Sequence, residues 1–267
     1  MPLARPLRIV LPGGTGRLGH LLADHFHGLG HSVSSITRFP KPMPWEPVHW
    51  DSEHLGYWAS SLEDADAVIN VSAAANEIAR VRTTALIADA ISQCRHPPRV
   101  WLNLSRADPD PEWEAAVFGV ATPTTRKVLV RASQVMHPRF GVFPSLLRLV
   151  RLGFGGEIGS GEQWVSWIHD LDFIRAVEFL IHSDGIEGPL NVSAPEPLVN
   201  HEFMAELREA WSSNYFGLSI PAWLIPDKRM LQSVRVFPEV LLDAGFRYEF
   251  PEWTEAARDL VLRWRQQ

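Results

Sequence analysis

Glycines near the start of the chain have a spacing that suits phosphate binding. Gly13, Gly16 and Gly19 form a G-x-x-G-x-x-G pattern within the run Gly13-Gly14-Thr15-Gly16-Arg17-Leu18-Gly19. Glycine allows a tight turn and a close approach of the backbone to a phosphate, and the free amides at the start of a helix attract an anion. The pattern therefore predicts an anion-binding turn. A glycine-rich turn that binds no ligand is the alternative interpretation.

The residues on either side of this turn predict a strand, a helix and a second strand. Residues 7–11 form a short apolar run that ends at the glycines, and residues 18–29 have apolar side chains at helical spacing. Gly28 and Gly30 predict the end of the helix, and residues 32–37 read as the next strand. This order is the typical setting of a turn that binds a dinucleotide pyrophosphate.

The end of the second predicted strand indicates which dinucleotide is bound. The chain has Thr37-Arg38 where a protein that binds NAD carries an acidic residue for the ribose hydroxyls. A guanidinium group can hold a 2′-phosphate through paired, charge-assisted hydrogen bonds, whereas a carboxylate would repel it. We therefore expect NADP(H) as the cofactor, with Arg17 as a second cation near its phosphates. Ordinary solvated surface charges are the alternative for both arginines.

Strand and helix candidates alternate along the first half of the chain, which favours a parallel sheet covered by helices. We predict an α/β protein with a Rossmann-type, doubly wound parallel sheet over residues 1–150. A smaller C-terminal α/β substrate lobe is expected over residues 151–267, and the chain can cross back between the two. The strand candidates are 7–11, 32–37, 47–50, 67–71, 99–105 and 145–150, and the helix candidates include 18–29, 82–94, 124–136, 172–182, 201–211 and 254–264.

Composition excludes several other classes of protein. The 267 residues include 25 basic and 31 acidic side chains, and neither sign forms a long block, so no nucleic acid partner is expected. No apolar run approaches the roughly 18 residues that span a bilayer, and no signal peptide is recognised. We therefore expect a cytoplasmic protein without a membrane partner. His20, Asp24 and His27 share one helix face, but that face reads as solvated, so no metal site is expected.

Several later segments, together with the glycine turn, resemble one superfamily over nearly the whole chain. The chain is similar to the extended short-chain dehydrogenase/reductase superfamily, and within it to the YfcH-like epimerase family. This resemblance implies a Rossmann-type fold and an NAD(P)-dependent activity. The segments that carry it are 13–19, 66–73, 152–161, 164–169, 188–195 and 237–246.

The resemblance also implies roles for individual residues. It places Asp51 near the adenine and Asn70-Val71-Ser72-Ala73 beside the adenine ribose. It places Ser105 at the end of the fifth strand, where such enzymes have a catalytic Ser or Thr that forms a hydrogen bond with a substrate oxygen. A strand-terminal serine that satisfies backbone groups is the alternative. His169, next to Asp170 and Asp172, is either a proton shuttle or part of a helix cap.

One departure from the superfamily concerns its usual general acid, the tyrosine of Tyr-x-x-x-Lys. The matching helix is expected to begin at 122–127, so that Lys127 fills the lysine position beside the nicotinamide ribose. Pro123 then stands where the tyrosine is expected, and Tyr57, Tyr215 and Tyr248 are remote in sequence. The acid–base chemistry is therefore expected to be non-standard.

These features together predict an NADP(H)-dependent oxidoreductase or epimerase-like enzyme. Its small-molecule substrate would carry a hydroxyl or carbonyl group and would bind between the nucleotide domain and the C-terminal lobe. A cofactor turn beside an altered catalytic stretch also fits a non-catalytic NADP(H)-binding sensor or regulatory protein. The sequence leaves this alternative open, and it leaves open whether a second copy of the chain forms a homodimer.

Overall fold

The chain forms two compact units that are not contiguous in sequence. The computed structural model describes residues 5–72, 76–212, 217–225 and 228–266. The first unit comprises Met1–Arg131 and Val177–Leu190, and the second comprises Ala132–Ala176 and Asn191–Gln267. The first unit therefore ends earlier than the predicted boundary at 150 and regains a later segment.

Strands and helices alternate through the first unit and are mixed in the second. The strands are β1 (Arg8–Pro12), β2 (Ser32–Thr37), β3 (Glu46–His49), β4 (Ala67–Asn70), β5 (Val100–Arg106), β6 (Arg126–Ala132), β7 (Gln134–Met136), β8 (Trp164–Val165), β9 (Trp167–His169), β10 (Gly188–Val192) and β11 (Leu198–Val199). The α-helices are α1 (Arg17–Gly28), α2 (Glu77–Ser92), α3 (Pro111–Phe118), α4 (Phe143–Arg151), α5 (Asp170–His182), α6 (Asn200–Trp211), α7 (Glu239–Asp243) and α8 (Trp253–Arg265). Short 3-10 helices lie at Tyr57–Leu62, Ala222–Leu224 and Lys228–Leu231.

A seven-stranded sheet with the order β10-β6-β5-β4-β1-β2-β3 forms the framework of the first unit. Strand β1 pairs in parallel with β2 and β4, and the pairs β2–β3 and β4–β5 are also parallel. The predicted Rossmann-type α/β fold is therefore confirmed. Its central strands are apolar on both faces, as a sheet covered by helices on both sides requires: Ile9 and Val10, which point to opposite faces of β1, are both fully buried.

The second unit has a core rich in aromatic side chains. Trp253 of α8 stacks on Phe203 of α6 with ring centroids 4.0 Å apart, and the edge of Trp167 meets Trp253 at 4.9 Å. The Trp253 indole N–H donates to the Phe203 carbonyl, so this large side chain is buried without an unpaired donor. Trp167 is also a core residue, with 1% exposure.

Two predicted elements are wrong. The helix predicted over residues 124–136 is in fact β6 followed by β7, and the strand predicted over residues 145–150 is helix α4. Val128-Leu129-Val130 is a continuous buried run with β-branched residues, which is typical of a central strand. In α4, by contrast, the buried residues recur at helical spacing: Phe143, Leu146, Leu147 and Val150.

No helix within the described ranges combines the length and the apolar character needed to cross a membrane.

Candidate functional site

Several predicted site residues of the first unit lie at the carboxyl ends of parallel strands. The glycine turn follows β1, Arg38 follows β2, Ser72 follows β4, and Ser105 is the penultimate residue of β5. Carboxyl ends of parallel strands meet at one edge of a sheet, which is where open α/β sheets bind ligands. Strand order therefore brings these residues to a single edge.

Most of the glycines in the turn are required by packing within the protein. Gly13 has a φ of +82°, and a Cβ atom there would lie 2.5 Å from the Cα of Ser72. A Cβ atom on Gly14 would overlap the Ser35 side chain, and one on Gly19 would lie 2.6 Å from the Cα of Gly14. These contacts let the turn lie directly against β2, β4 and α1. They do not by themselves indicate a ligand.

Gly16 is different, because its surroundings leave room on the outer side of the turn. A Cβ atom there would meet only the Gly13 carbonyl, at 3.2 Å, and the residue is exposed. Gly16 is the N-cap of α1 and gives the helix no side-chain cap, and the first turn has no acidic residue. The first amides of a helix have no acceptor within the helix and carry its positive dipole. The amides of Arg17 and Leu18 therefore suit an anion such as a pyrophosphate, whereas the Gly16 N–H donates to the Gly13 carbonyl at 2.8 Å.

The end of β2 holds an exposed arginine beside a buried threonine. Arg38 is exposed, and its Cζ atom lies 5.7 Å from the centroid of the Phe39 ring. Thr37 is buried, and its Oγ1 lies 2.8 Å from Oγ1 of Thr15 in the glycine turn. Arg38 stands out in the sequence, whereas the Thr15–Thr37 contact does not: the position of Thr37 beside Arg38 is the signal available for it.

An amide network fixes the backbone after β4. Oδ1 of Asn70 accepts the Ser72 N–H at 3.1 Å and the Ser72 hydroxyl at 2.6 Å, while its Nδ2 donates to Asn103 of β5 at 2.6 Å. The N–H of Val71 donates to the carbonyl of Pro12 at 2.9 Å. Val71 and Ser72 are half-buried at this edge, whereas the predicted Ala73 lies outside the described residues.

Ser105 is buried, and its hydroxyl makes no hydrogen bond to another described residue. The residue is 6% exposed, and among the described residues its Oγ has no hydrogen-bond partner. The alternative that this hydroxyl satisfies backbone groups therefore has no support in the structure. A buried hydroxyl without a partner costs about 1–3 kcal/mol, and a ligand oxygen at this strand end would remove that cost. Arg106, the exposed last residue of β5, is a second polar group here that the sequence analysis missed.

The Asp51 side chain stabilises the turn that follows β3 through hydrogen bonds to the backbone. Its carboxylate accepts the backbone N–H groups of Glu53 and His54 at 2.7 and 2.8 Å, and it lies 2.7 Å from Nδ1 of His54. The hydrogen bond from the Glu53 amide, and then those from His54, keep the pKa of this carboxyl far below its usual value. Its place near an adenine stays a prediction.

Lys127 lies on strand β6 and not on a helix, which corrects the sequence analysis. Its Nζ donates to the carbonyls of Val117 and Val120 at 2.9 and 2.5 Å, just after α3, and burial lowers its pKa. The helix between β5 and β6 is α3, with the sequence Pro-Glu-Trp-Glu-Ala-Ala-Val-Phe. This helix contains neither tyrosine nor lysine, so it lacks the Tyr-x-x-x-Lys pair that is usual in the superfamily.

His169 belongs to the second unit and is fully buried there. Its Nδ1 accepts the Leu171 N–H at 3.2 Å, so Nε2 carries the proton toward Asp259 at 2.9 Å. The ring stacks on Phe250 at 4.0 Å, and burial lowers its pKa. Both nitrogens are thus engaged by protein groups. The neighbouring Asp170 is also engaged, because it pairs with both terminal nitrogens of Arg263 at 2.8 and 2.6 Å.

Comparison with known proteins agrees with the resemblance read from the sequence. Residues 227–260 match a family described only as a domain of unknown function, DUF1731. The human epimerase family protein SDR39U1 is 28% identical over 96% of this chain and 100% of the relative. The epimerase family protein MT2273 of Mycobacterium tuberculosis is 25% identical over 90% of this chain and 93% of the relative. The chain is similar to these epimerase family proteins over at least nine tenths of its length.

A solved structure extends the homology to the fold. The crystal structure of human SDR39U1, isoform 2, with NADPH has a TM-score of 0.82 and 27% identity, and it covers 96% of this chain and 99% of the human chain. The resemblance to epimerase-type members of the extended short-chain dehydrogenase/reductase superfamily is confirmed. The agreement includes the Rossmann-type sheet that carries the glycine turn.

Proposed function

We propose that this chain is an NADP(H)-dependent oxidoreductase or epimerase-like enzyme that acts on a small substrate with a hydroxyl or carbonyl group. Two observations together carry the proposal. Helix α1 begins after Gly16 without a side-chain cap and without an acidic residue in its first turn, and Arg38 is exposed at the end of β2. The homologous human protein was crystallised with NADPH, which supports the same choice of cofactor here.

Each group at this edge of the sheet has a role in holding the cofactor. The amides of Arg17 and Leu18 bind the pyrophosphate, and the Arg38 guanidinium binds the 2′-phosphate, because each presents N–H donors to an anion. The segment Asn70–Ser72 forms the wall beside the adenine ribose, held in shape by the amide network. Bound NADP(H) supplies hydride exchange with carbon.

Ser105 is the residue we assign to the substrate oxygen. Its unpaired hydroxyl can donate to a carbonyl or accept from a hydroxyl, which orients the substrate and satisfies the serine at the same time. Helix α3 supplies no tyrosine, so the proton moves between the substrate oxygen and water, directly or relayed through the Ser105 hydroxyl, or within the substrate itself. His169 is left out of this assignment because both of its nitrogens are bound inside the second unit.

Calorimetric titration with NADPH and NADH tests the cofactor part of the proposal. The protein should bind NADPH more tightly, and Arg38→Ala should weaken NADPH binding about 10- to 100-fold, the range for losing hydrogen bonds to a charged group. NADH binding should change little. Arg95→Ala is the matched control, because Arg95 is also exposed in the first unit but precedes β5, at the opposite end of that strand. Equal affinities for the two dinucleotides would overturn the NADP preference.

The lack of tyrosine and lysine in α3 favours one second candidate, a non-catalytic NADP(H)-binding sensor. Incubation with NADPH and a panel of aldehydes, ketones and sugar derivatives separates the two functions. Cofactor oxidation or a change in product stereochemistry supports the enzyme. Tight binding of NADPH without turnover of any compound supports the sensor.

A further inference from the structure

A hydrogen bond between two threonine hydroxyls joins the glycine turn to the strand that precedes Arg38. Thr15 Oγ1 and Thr37 Oγ1 are 2.8 Å apart. Thr15 lies at the exposed tip of the turn, whereas Thr37 is the last residue of β2 and is 4% exposed. We call this pair the threonine latch.

Thr37 also fixes the backbone on both sides of Arg38. Its hydroxyl accepts the N–H of Phe39 at 3.2 Å, and its carbonyl accepts the N–H of Trp50, just after β3, at 3.1 Å. Arg38 lies between two residues joined by this hydrogen bond, so the direction in which its side chain leaves the backbone is set. The Thr37 hydroxyl that lies against Thr15 therefore also fixes the backbone position of Arg38.

The latch holds a part of the turn that backbone hydrogen bonds do not tie to β2. The Gly13 N–H donates to the Ile36 carbonyl at 2.9 Å, which anchors the start of the turn, while the Gly16 N–H bonds within the turn to Gly13 at 2.8 Å. Across the described ranges, Thr15 and Thr37 form the one side-chain hydrogen bond recorded between the turn and β2. The distance from the helix amides to Arg38 thus depends on this contact.

We propose that the threonine latch determines cofactor specificity by fixing the spacing between two anion-binding positions, the first amides of α1 and the guanidinium of Arg38. This inference rests on the proposed function. NADPH carries its pyrophosphate and its 2′-phosphate in one molecule, so a fixed spacing reduces the ordering cost of meeting both. NADH has only the pyrophosphate and gains little from that spacing. Thr15 and Thr37 are therefore positioning residues that favour NADPH through Arg38.

Removal of the Thr37 hydroxyl tests the latch through binding rather than turnover. Thr37→Val keeps the shape of the side chain and should weaken NADPH binding about fivefold, the effect of losing one neutral hydrogen bond, with little change for NADH. Thr37→Ser restores the hydroxyl and should keep the wild-type ratio of the two affinities. Thr125→Val is the matched control, since Thr125 is also buried in the first unit but its hydroxyl has no partner among the described residues.

Thr15→Val provides a second route if Thr37→Val does not fold, because Thr15 is exposed. It should lower the NADPH-to-NADH affinity ratio to the same extent, and the double variant should lose no more than either single variant, since all three break one contact. An unchanged ratio in Thr15→Val, or losses that multiply in the double variant, would overturn the latch while the proposed function stands. A wild-type protein that binds neither dinucleotide would overturn both.

Discussion

Ser105 gives the clearest test of a single residue, because stability and activity should respond differently to its loss. Ser105→Ala removes a buried hydroxyl that has no partner among the described residues, so the free energy of unfolding should stay the same or rise by up to about 1 kcal/mol. Turnover should fall about 100-fold or more if this hydroxyl orients the substrate oxygen. Denaturant unfolding and the substrate panel measure the two effects.

Ser133→Ala is the control for this substitution. Ser133 is buried in the second unit, and its hydroxyl also has no partner within the described part of the chain. The control should leave turnover unchanged. An equal loss of activity in both variants would remove Ser105 from the site.

His169 should behave as a structural residue. His169→Phe keeps a ring to stack on Phe250 but leaves the Leu171 N–H without its acceptor, so the free energy of unfolding should fall by about 1–3 kcal/mol. The affinity for NADPH should not change, because the side-chain hydrogen bonds of His169 all lie within the second unit. A stable His169→Phe variant without turnover would instead restore the catalytic role that the sequence suggested.

Single residues could be selected as candidates from the sequence where one local pattern determines their position. Gly16 and Arg38 are such candidates, because a glycine repeat and a strand end define their places along the chain. The Thr15–Thr37 contact was not found, since it depends on how the turn folds back over β2. The full burial of His169 was missed for the same reason: Asp259 and Phe250, which enclose it, come from distant parts of the sequence.

At the scale of elements, the segment after β5 departs most from the prediction. Predicting a helix over 124–136 gave Lys127 a place beside a cofactor, whereas its strand position turns the ammonium group toward the carbonyls of Val117 and Val120. The short run of apolar residues in β6 has no clear period, so the sequence alone does not distinguish a buried strand from a helix. The strands of the β1–β5 region, by contrast, were bounded by glycine, proline or polar turns and were placed correctly.

Lys127→Met tests the role of this strand position. The variant keeps an unbranched side chain but removes the charged donor that closes the end of α3, so unfolding should cost about 1–3 kcal/mol less. NADPH affinity should match that of the wild type. Lys41→Met, at an exposed position of the first unit, is the control and should change neither quantity. Weaker NADPH binding at unchanged stability would support the original assignment of Lys127 to the cofactor.

At the scale of the whole molecule, buried histidines make stability depend on pH. Burial is the main cause that lowers the pKa of His31 in the first unit and of His137 and His169 in the second, from an ordinary value of 6.5. Below that value the unfolded chain binds more protons than the folded one, so the free energy of unfolding should fall as the pH decreases.

Denaturant titrations between about pH 7.5 and 5 measure this dependence, and they stay above the range in which unfolded carboxyl groups titrate. His169→Phe should flatten the curve, because one of the buried imidazoles is gone. Stability that is constant from pH 7.5 to 5 would show that these side chains accept protons in the folded protein as readily as in the unfolded chain.

The chain passes repeatedly between the two units, and this limits how genes for such proteins can recombine. The chain passes from one unit to the other after Arg131, after Ala176 and after Leu190, and these points fall within β6, α5 and β10. Swapping the second unit for that of a homologue thus requires three splice junctions, each cutting a hydrogen-bonded element. Related chains are therefore expected to diverge more readily through point substitution and loop variation than through exchange of intact units.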